Sequence, residues 1–451
     1  MSKYKYLLGN YHAVEHADIA IDGITVLAGE NGCGKSTLSR WLYYIINGAD
    51  NLEKFLYQEY VVSLRNFVNR WEFVSRDILR NRMIGGDKQD LHGYKKITVD
   101  QFEQLLQVEN FGTEDVERVE IVFVQTLETF ADQLYDYICE ENREVRKNRV
   151  LNFLDIKLED FPTEKDAIDE FVKKCKRWID KKTKELFNQV HERGISILKR
   201  MVNYKFEETD DFPMIIQLSE DGLELIDDNS LATIYNLQKA IYVDTPMAIT
   251  SGANGNPFWN ELQEIMLSAY SRELSMNTKI LIKRIKLLIG GEAKFVDDEA
   301  LEGYQELRFI SENEEIDIEL SKVATGVKTF VYLQRLLQNG TLNDNTLLLI
   351  DEPEAHLHPQ WIVEYARLLV LINKYLGTKI MIASHNPDMV AAIQNIAKKE
   401  GIIDSTNFYL AQKTDGSHRY VYKKLGNDIE EIFRSFNIAL DRIKLYGGDN
   451  I

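Results

Sequence analysis

The 451-residue chain has only three cysteines, Cys33, Cys139 and Cys175, too few and too scattered for a disulfide framework or a metal-ligand set. Long hydrophobic runs are missing too. The longest, such as Leu347–Ile350, fall far short of the roughly 20 residues a bilayer-spanning helix needs. The opening MSKYKYLLGNYHAVEHADI holds no apolar stretch of the length a secretion signal uses. A reduced, cytoplasmic protein without membrane contact is expected. Positive charge is in short supply, with 54 Lys and Arg against 72 Asp and Glu, a net charge of −18. That balance excludes a protein that coats nucleic acid with its whole surface, because phosphate neutralisation dominates such binding. Locally, Lys173-Lys174-Cys175-Lys176-Arg177 and Lys181-Lys182-Thr183-Lys184 form a basic stretch, read either as a solvated helix face or as a contact for nucleic acid or a partner. Sustained heptads are absent, which excludes a long coiled-coil arm.

What is present is a strand–helix alternation interrupted once. Tyr4–Leu8, Ala17–Ile21 and Ile24–Ala28 read as strands, with Asp22-Gly23 as a turn. Leu38, Trp41, Leu42, Ile45 and Ile46 then recur at helical spacing, with one face for a sheet, and Asn47-Gly48 reads as the stop. From residue 50 to 205 glycine and proline become scarce, charge is dense and periodicity is mostly helical, with Val119–Phe123 as a candidate strand. Strand patterns return in Pro213–Leu218 and Ala240–Val243, residues 257–289 read as helical, and Glu306–Ile310 and Ile316–Leu320 read as strands. The expected fold class is α/β, with a mixed or parallel sheet interrupted by a largely helical insertion. The expected segments are 1–49, the insertion 50–205, 206–256, 257–319 and 320–451.

Four motifs carry chemistry. Gly29-Glu30-Asn31-Gly32-Cys33-Gly34-Lys35-Ser36 satisfies G-x-x-x-x-G-K-[ST] between a strand and a helix, the context in which glycines let backbone N–H groups cradle phosphate. Lys35 supplies charge to the phosphates, Ser36 a hydroxyl for Mg²⁺, and the helix N-terminus, with Thr37, its positive dipole end. Gly29, Asn31, Gly32, Cys33, Gly34, Lys35, Ser36 and Thr37 are therefore the candidate nucleotide-binding residues. Thr346–Pro353 is an apolar run ending in two carboxylates, as suits a central parallel strand. Asp351 is the candidate Mg²⁺ ligand beside Ser36, and Glu352 the candidate general base. Ile380–His385 is a further buried strand ending in a histidine, where His385 would sense the γ-phosphate or position water. Ser321–Lys328 places Thr325, Gly326 and Lys328 at the start of a helix that ends near Asn339-Gly340, a candidate anion contact. The catalytic candidates are Lys35, Glu352 and His385. His356 and His358, two apart, read as structural rather than as zinc ligands. Cys33 reads as a small filler, and its place at a helix N-terminus also makes it a candidate for alkylation.

Together these residues resemble the ABC-type ATPases, in particular the RecF/SMC-related and overcoming-lysogenization-defect-like group, in which the motifs are Walker A, Walker B, His switch and signature. Asp351-Glu352-Pro353-Glu354-Ala355-His356-Leu357-His358-Pro359 carries the resemblance most specifically. The signature departs from the usual Ser-x-Gly, reading Ala324-Thr325-Gly326. No Q-loop glutamine stands out, and Asp244 is the candidate replacement ahead of Gln125. The resemblance implies ATP and Mg²⁺ as cofactors and a homodimer, or higher homo-oligomer, that sandwiches ATP. It extends to anti-phage defence ATPases of the Septu and PARIS type, implying a nucleotide-gated regulator of a separately encoded effector, such as a nuclease. The competing reading is a RecF/SMC-like DNA-repair ATPase.

Overall fold

The structure, a computed structural model, describes all residues except 1, 86–96, 107–111, 142, 207–211, 227–228, 245–256, 269–273, 298–304, 314 and 435–451. The chain divides into two compact units, Met1–Asp50 with Leu198–Ile451, and Asn51–Ile197.

The first unit is built on a ten-stranded sheet. Strands β1 (Tyr4–Tyr11), β2 (Val14–Ile21) and β3 (Ile24–Ala28) lead into helix α1 (Lys35–Gly85). In the second unit follow α2 (Asp100–Leu105), α3 (Thr113–Glu140), α4 (Glu144–Phe153) and α5 (Glu164–Glu192), and α6 (Ile195–Phe206) leads back. The chain then forms β4 (Ile215–Glu220), β5 (Leu223–Ile226), β6 (Lys239–Val243), α7 (Pro257–Leu267) and α8 (Met276–Ile289). A three-stranded antiparallel sheet of β7 (Gly291–Asp297), β8 (Gln305–Ser311) and β9 (Asp317–Glu319) precedes α9 (Thr325–Gln338). Last come β10 (Thr346–Asp351), α10 (Pro359–Leu376), β11 (Lys379–Ser384), α11 (Pro387–Glu400), β12 (Thr406–Lys413) and β13 (Tyr420–Lys424). The large sheet runs β5-β4-β1-β2-β13-β12-β3-β11-β10-β6. Its β12-β3-β11-β10-β6 half is parallel, and the β5-β4-β1-β2 half is antiparallel. The fold is thus mixed α/β.

Parallel strands covered on both faces should be apolar throughout. All residues of β3, β10 and β11 are buried. Behind them α8 to α11 contribute Ile285, Phe330, Leu333, Tyr365, Leu369 and Val390 to one continuous core.

Several elements differ from the sequence reading, each for a packing reason. Gly48 does not end a helix; it lies inside α1. A Cβ there would come within 2.4 Å of Leu198 Cδ1 and 2.7 Å of Met201 Cε, so Gly48 serves close approach to α6. Val119–Phe123 is helical, within α3, whose Val116, Val119, Phe123, Leu127, Phe130 and Leu134 form one buried face at steps of three and four. The helical reading of residues 257–289 is met by α7 and α8. In the basic stretch on α5, Lys176 pairs with Glu128, Arg177 with Glu170, and Lys181 and Lys182 with Glu185. Those pairs fit a solvated helix face.

The neighbour of Gly48 has a clearer role. β6 is the last strand of the parallel half, with one edge open. The Asn47 side-chain amide donates to the Ala240 carbonyl at 2.9 Å and accepts from the Ala240 N–H at 2.8 Å, acting as a one-residue strand on that edge. Asn47→Ala leaves both backbone groups unpaired in a half-buried setting, where each lost bond costs about 1 kcal/mol or more. It is expected to destabilise the chain by about 2 kcal/mol in urea unfolding, against under 0.5 kcal/mol for an exposed control such as Asn395→Ala.

Candidate functional site

The site forms because parallel pairing sets the carboxyl ends of three strands side by side. Ala28 of β3 pairs with Ser384 of β11, and Asp351 of β10 with Ala383 of β11. The loop after β3, the acidic pair after β10 and His385 after β11 therefore emerge from one edge. In α/β sheets that edge is where ligands bind.

The loop between β3 and α1 is shaped by its glycines. Gly32 and Gly34 have φ of 80° and 94°, values that side-chain-bearing residues avoid. A Cβ on Gly34 would also lie 2.5 Å from Val14 Cγ2. Gly29 is buried against Ala411 and Cys33. Asn31 and Gly32 are exposed at the loop tip, and Ser36 and Thr37 are half-buried in the first turn of α1. Lys35 is 5% exposed, its ammonium donating to the carbonyls of Gly29 and Glu30 at 2.9 Å each. Cys33 points inward, fully buried, with Sγ 3.7 Å from the Tyr422 hydroxyl. That burial suits a small filler and removes it as an alkylation candidate.

Asp351 stands at the end of β10 with its carboxyl almost fully buried. Tyr242, from β6, donates to Oδ2 at 3.2 Å, while Oδ1 is buried with no hydrogen-bond partner. Burial pushes its pKa up from the ordinary carboxylate value, and the Ser36 and Tyr242 hydroxyls oppose that shift. A buried anionic oxygen without a partner beside a hydroxyl from the phosphate-type loop fits a divalent cation: Asp351 and Ser36 present the hard oxygen donors Mg²⁺ prefers.

Glu352 follows in a left-handed conformation, φ 48°, which costs a non-glycine residue of order 1 kcal/mol or more. It is held there by its N–H donating to the Ala383 carbonyl at 2.8 Å and by the Ala355 N–H donating to its own carbonyl at 2.9 Å. The strained turn swings its carboxylate to His385, whose Nδ1 lies 3.3 Å from Glu352 Oε1. Glu354 approaches the same nitrogen at 3.5 Å. Burial raises the Glu354 pKa, opposed by hydrogen bonds from its own backbone, the Ser384 hydroxyl and His385.

The helix-start candidates lie on α9. Lys328 is buried, its ammonium donating to the Ser321 carbonyl at 2.6 Å, and burial lowers its pKa. A Cβ on Gly326 would meet the His356 carbonyl at 3.2 Å and the Trp361 ring at 3.3 Å, so Gly326 lets this turn pack against the segment after Glu354. No hydrogen bond or ion pair among the described residues joins Thr325, Gly326 or Lys328 to Lys35, Asp351, Glu352 or His385. His358 caps α10, accepting from the Gln360 N–H at 3.4 Å. No group of three or more metal-ligating side chains occurs among the described residues.

Asp244 follows β6 and lies beside Arg40 of α1, at 3.7 Å, whereas Gln125 lies on α3 in the second unit. Arg40 also stands over the Tyr242 and Phe258 rings. Tyr242, Arg40 and Glu354 were not singled out from sequence. Glu354 had one visible signal, a carboxylate three residues after Asp351 in the motif already quoted.

A phosphate-type loop, an acidic strand end and a strand-end histidine share one sheet edge, with the histidine strand between the other two, as in a P-loop nucleotide-binding fold. The chain belongs to the AAA ATPase domain family, AAA_15, whose model matches residues 5–390. No curated protein matches it significantly in sequence. Among solved structures, the SMC head domain from Thermotoga maritima is similar at 11% identity over 94% of this chain and 98% of that one, with a TM-score of 0.34. The Smc head domain of Pyrococcus furiosus, with an extended coiled coil and bound to the C-terminal domain of ScpA, gives 11%, 98%, 100% and 0.35. The Clostridium perfringens protein cbiO1, part of an ABC transporter complex, gives 16%, 54%, 79% and 0.27. Likenesses this distant carry no argument about function. No helix among the described residues is long and apolar enough to cross a membrane.

The buried Asp351 charge makes a stability prediction. A carboxyl whose pKa is higher in the fold than unfolded binds its proton more tightly when folded, so its contribution to stability falls as pH rises above the unfolded value, near 4, and through the folded one. At pH 7.5 the charge therefore weighs against the nucleotide-free fold. Asp351→Asn is expected to raise the melting temperature there by about 2–4 °C, with the gain shrinking as pH falls towards 4. Thermal scans across pH check this; a lower melting temperature at pH 7.5 would contradict it.

Proposed function

We propose that the chain binds and hydrolyses MgATP, as a homodimer that closes around the nucleotide. The observation that supports the reading is the shared sheet edge, from which the loop bearing Lys35 and Ser36, the Asp351-Glu352 pair and His385 emerge. The loop glycines direct N–H groups at phosphate oxygens, and Lys35 adds a positive charge. Ser36 and Asp351 would hold Mg²⁺, which when bound offsets phosphate charge. Glu352, half-exposed and on a strained turn, accepts the proton of the attacking water. His385, tied to Glu352 through Nδ1, orients that carboxylate.

The dimer rests on the resemblance to ABC-type ATPases, in which one protomer's signature turn completes its partner's phosphate site. Here the start of α9 is the counterpart. Ala324 gives the helix no side-chain cap, and Lys328 is fixed by Ser321 on the chain's own side, consistent with a preformed turn offering backbone N–H groups. Residues 50–205 are proposed as the partner-binding or sensing region. Control of a separately encoded effector, such as a nuclease, in bacterial anti-phage defence is supported by the resemblance of residues 351–359 to defence ATPases. The glutamate pairing along the α5 basic stretch gives the DNA-repair reading no added support.

The test is ATP turnover with mass photometry on the same samples. Glu352→Gln is expected to lower turnover about 100-fold or more, the usual worth of a general base, and to accumulate dimers in ATP. Lys35→Ala is expected to abolish nucleotide binding. Turnover retained in Glu352→Gln would remove Glu352 from its assigned role. Particle sizes unchanged by ATP in wild type and in Glu352→Gln would refute the closing dimer.

A further inference from the structure

Glu354 has no part in the scheme above, yet it is as enclosed as Asp351, with a side chain 3% exposed against 31% for Glu352. Its Oε1 accepts from the Ser384 hydroxyl at 2.8 Å and from the His385 N–H at 3.0 Å, and stands 3.5 Å from His385 Nδ1. Its Oε2 is buried with no partner. Glu352 Oε1 lies on the same Nδ1 at 3.3 Å. One imidazole nitrogen thus faces two carboxylates from the same turn, one buried and hydrogen-bonded, the other half-exposed on a strained backbone.

Ionised carboxylates only accept hydrogen bonds, so Nδ1 is the nitrogen that must donate. A neutral imidazole has one N–H, and assigning it to Nδ1 leaves Nε2 with a lone pair. Nε2 has no hydrogen-bond partner among the described residues, and the His385 side chain is 43% exposed. We propose that Glu354 is a positioning residue: it pins the turn after β11 through Ser384 and the His385 N–H, and holds His385 as its Nδ1–H tautomer so that Nε2 is the nitrogen offered to the nucleotide. The arrangement also frees Glu352. When that carboxylate turns to water, Glu354 Oε1 stays 3.5 Å from Nδ1 as the remaining acceptor for its N–H, and the ring keeps its orientation. Carboxylates that orient histidines in this way at metal centres change affinity or activity by about 10–100-fold when removed.

This inference rests on the ATPase reading for its catalytic half, and the experiment separates the two. The chain, with its 8 histidines, is labelled with ¹⁵N-histidine, His385 is assigned by His385→Gln, and the two-bond ¹⁵N–¹H pattern reads its tautomer at pH 8. The expected result is Nδ1–H in the wild type, retained in Glu354→Gln, whose amide oxygen can accept the same bonds, and lost in Glu354→Ala. In ATP turnover, Glu354→Ala is expected to lower kcat about tenfold with KM for ATP within about twofold, and Glu354→Gln to recover most of it. An Nε2–H His385 in the wild type overturns the proposal without any variant having to fold. So does a Glu354→Ala chain with unchanged tautomer and kcat, or one whose loss Glu354→Gln does not rescue. An Nδ1–H wild type that turns over no ATP sinks the ATPase reading and the catalytic half with it.

Discussion

Parallel register between β3, β11 and β10 is the constraint from which the site follows. Those strands are buried on both faces, so each is fixed by packing above and below as well as by its ladder. A one-residue slip would exchange the faces of every side chain in the strand. With register fixed, Ala28, Ser384 and Asp351 end at the same edge, and groups separated by more than 300 residues in sequence come together there. The Glu352 N–H to Ala383 carbonyl bond extends that register one step beyond the ladder, and holds the general-base candidate in a backbone conformation it would not adopt unaided.

The site shows the usual tension between stability and function. Asp351 and Glu354 are buried carboxylates, each with one oxygen lacking a partner, and both have pKa values raised by burial. A site assembled only for stability would replace them with neutral groups. Asp351 is understandable as a cation ligand whose unsatisfied oxygen is completed on binding. Tyr242 and Ser36 take up part of the cost, and Arg40 lies beside them, so the cation-site candidate is braced from β6 and α1 as well as from β10.

Much of this was legible in the sequence because it is local. The Gly29–Ser36 pattern fixes its own loop, and Leu347–Ile350 can only be an interior strand once two carboxylates follow it. What was misread depends on distant neighbours. Gly48 looks like a helix stop until Leu198 and Met201 are placed against it. Val119–Phe123 looks like a strand in a five-residue window, although Val116, Phe123, Leu127 and Leu134 already carried helical spacing in a longer one. Cys33 fits its reading as a small filler, while the reactivity a helix start could lend it is lost because Tyr422, from β13, closes over it. Tyr242 and Glu354 offered least, since hydrogen bonds to Asp351 and His385 leave no pattern along the chain.

Equilibrium binding of ATP to the purified chain, with Mg²⁺ and with EDTA, tests the central claim most directly. The account predicts saturable binding of one ATP per chain, weakened at least about tenfold when the cation is removed, as expected if the unpartnered Asp351 oxygen and the Ser36 hydroxyl serve a divalent ion. Binding of equal strength with and without Mg²⁺, or no saturable binding, would contradict it.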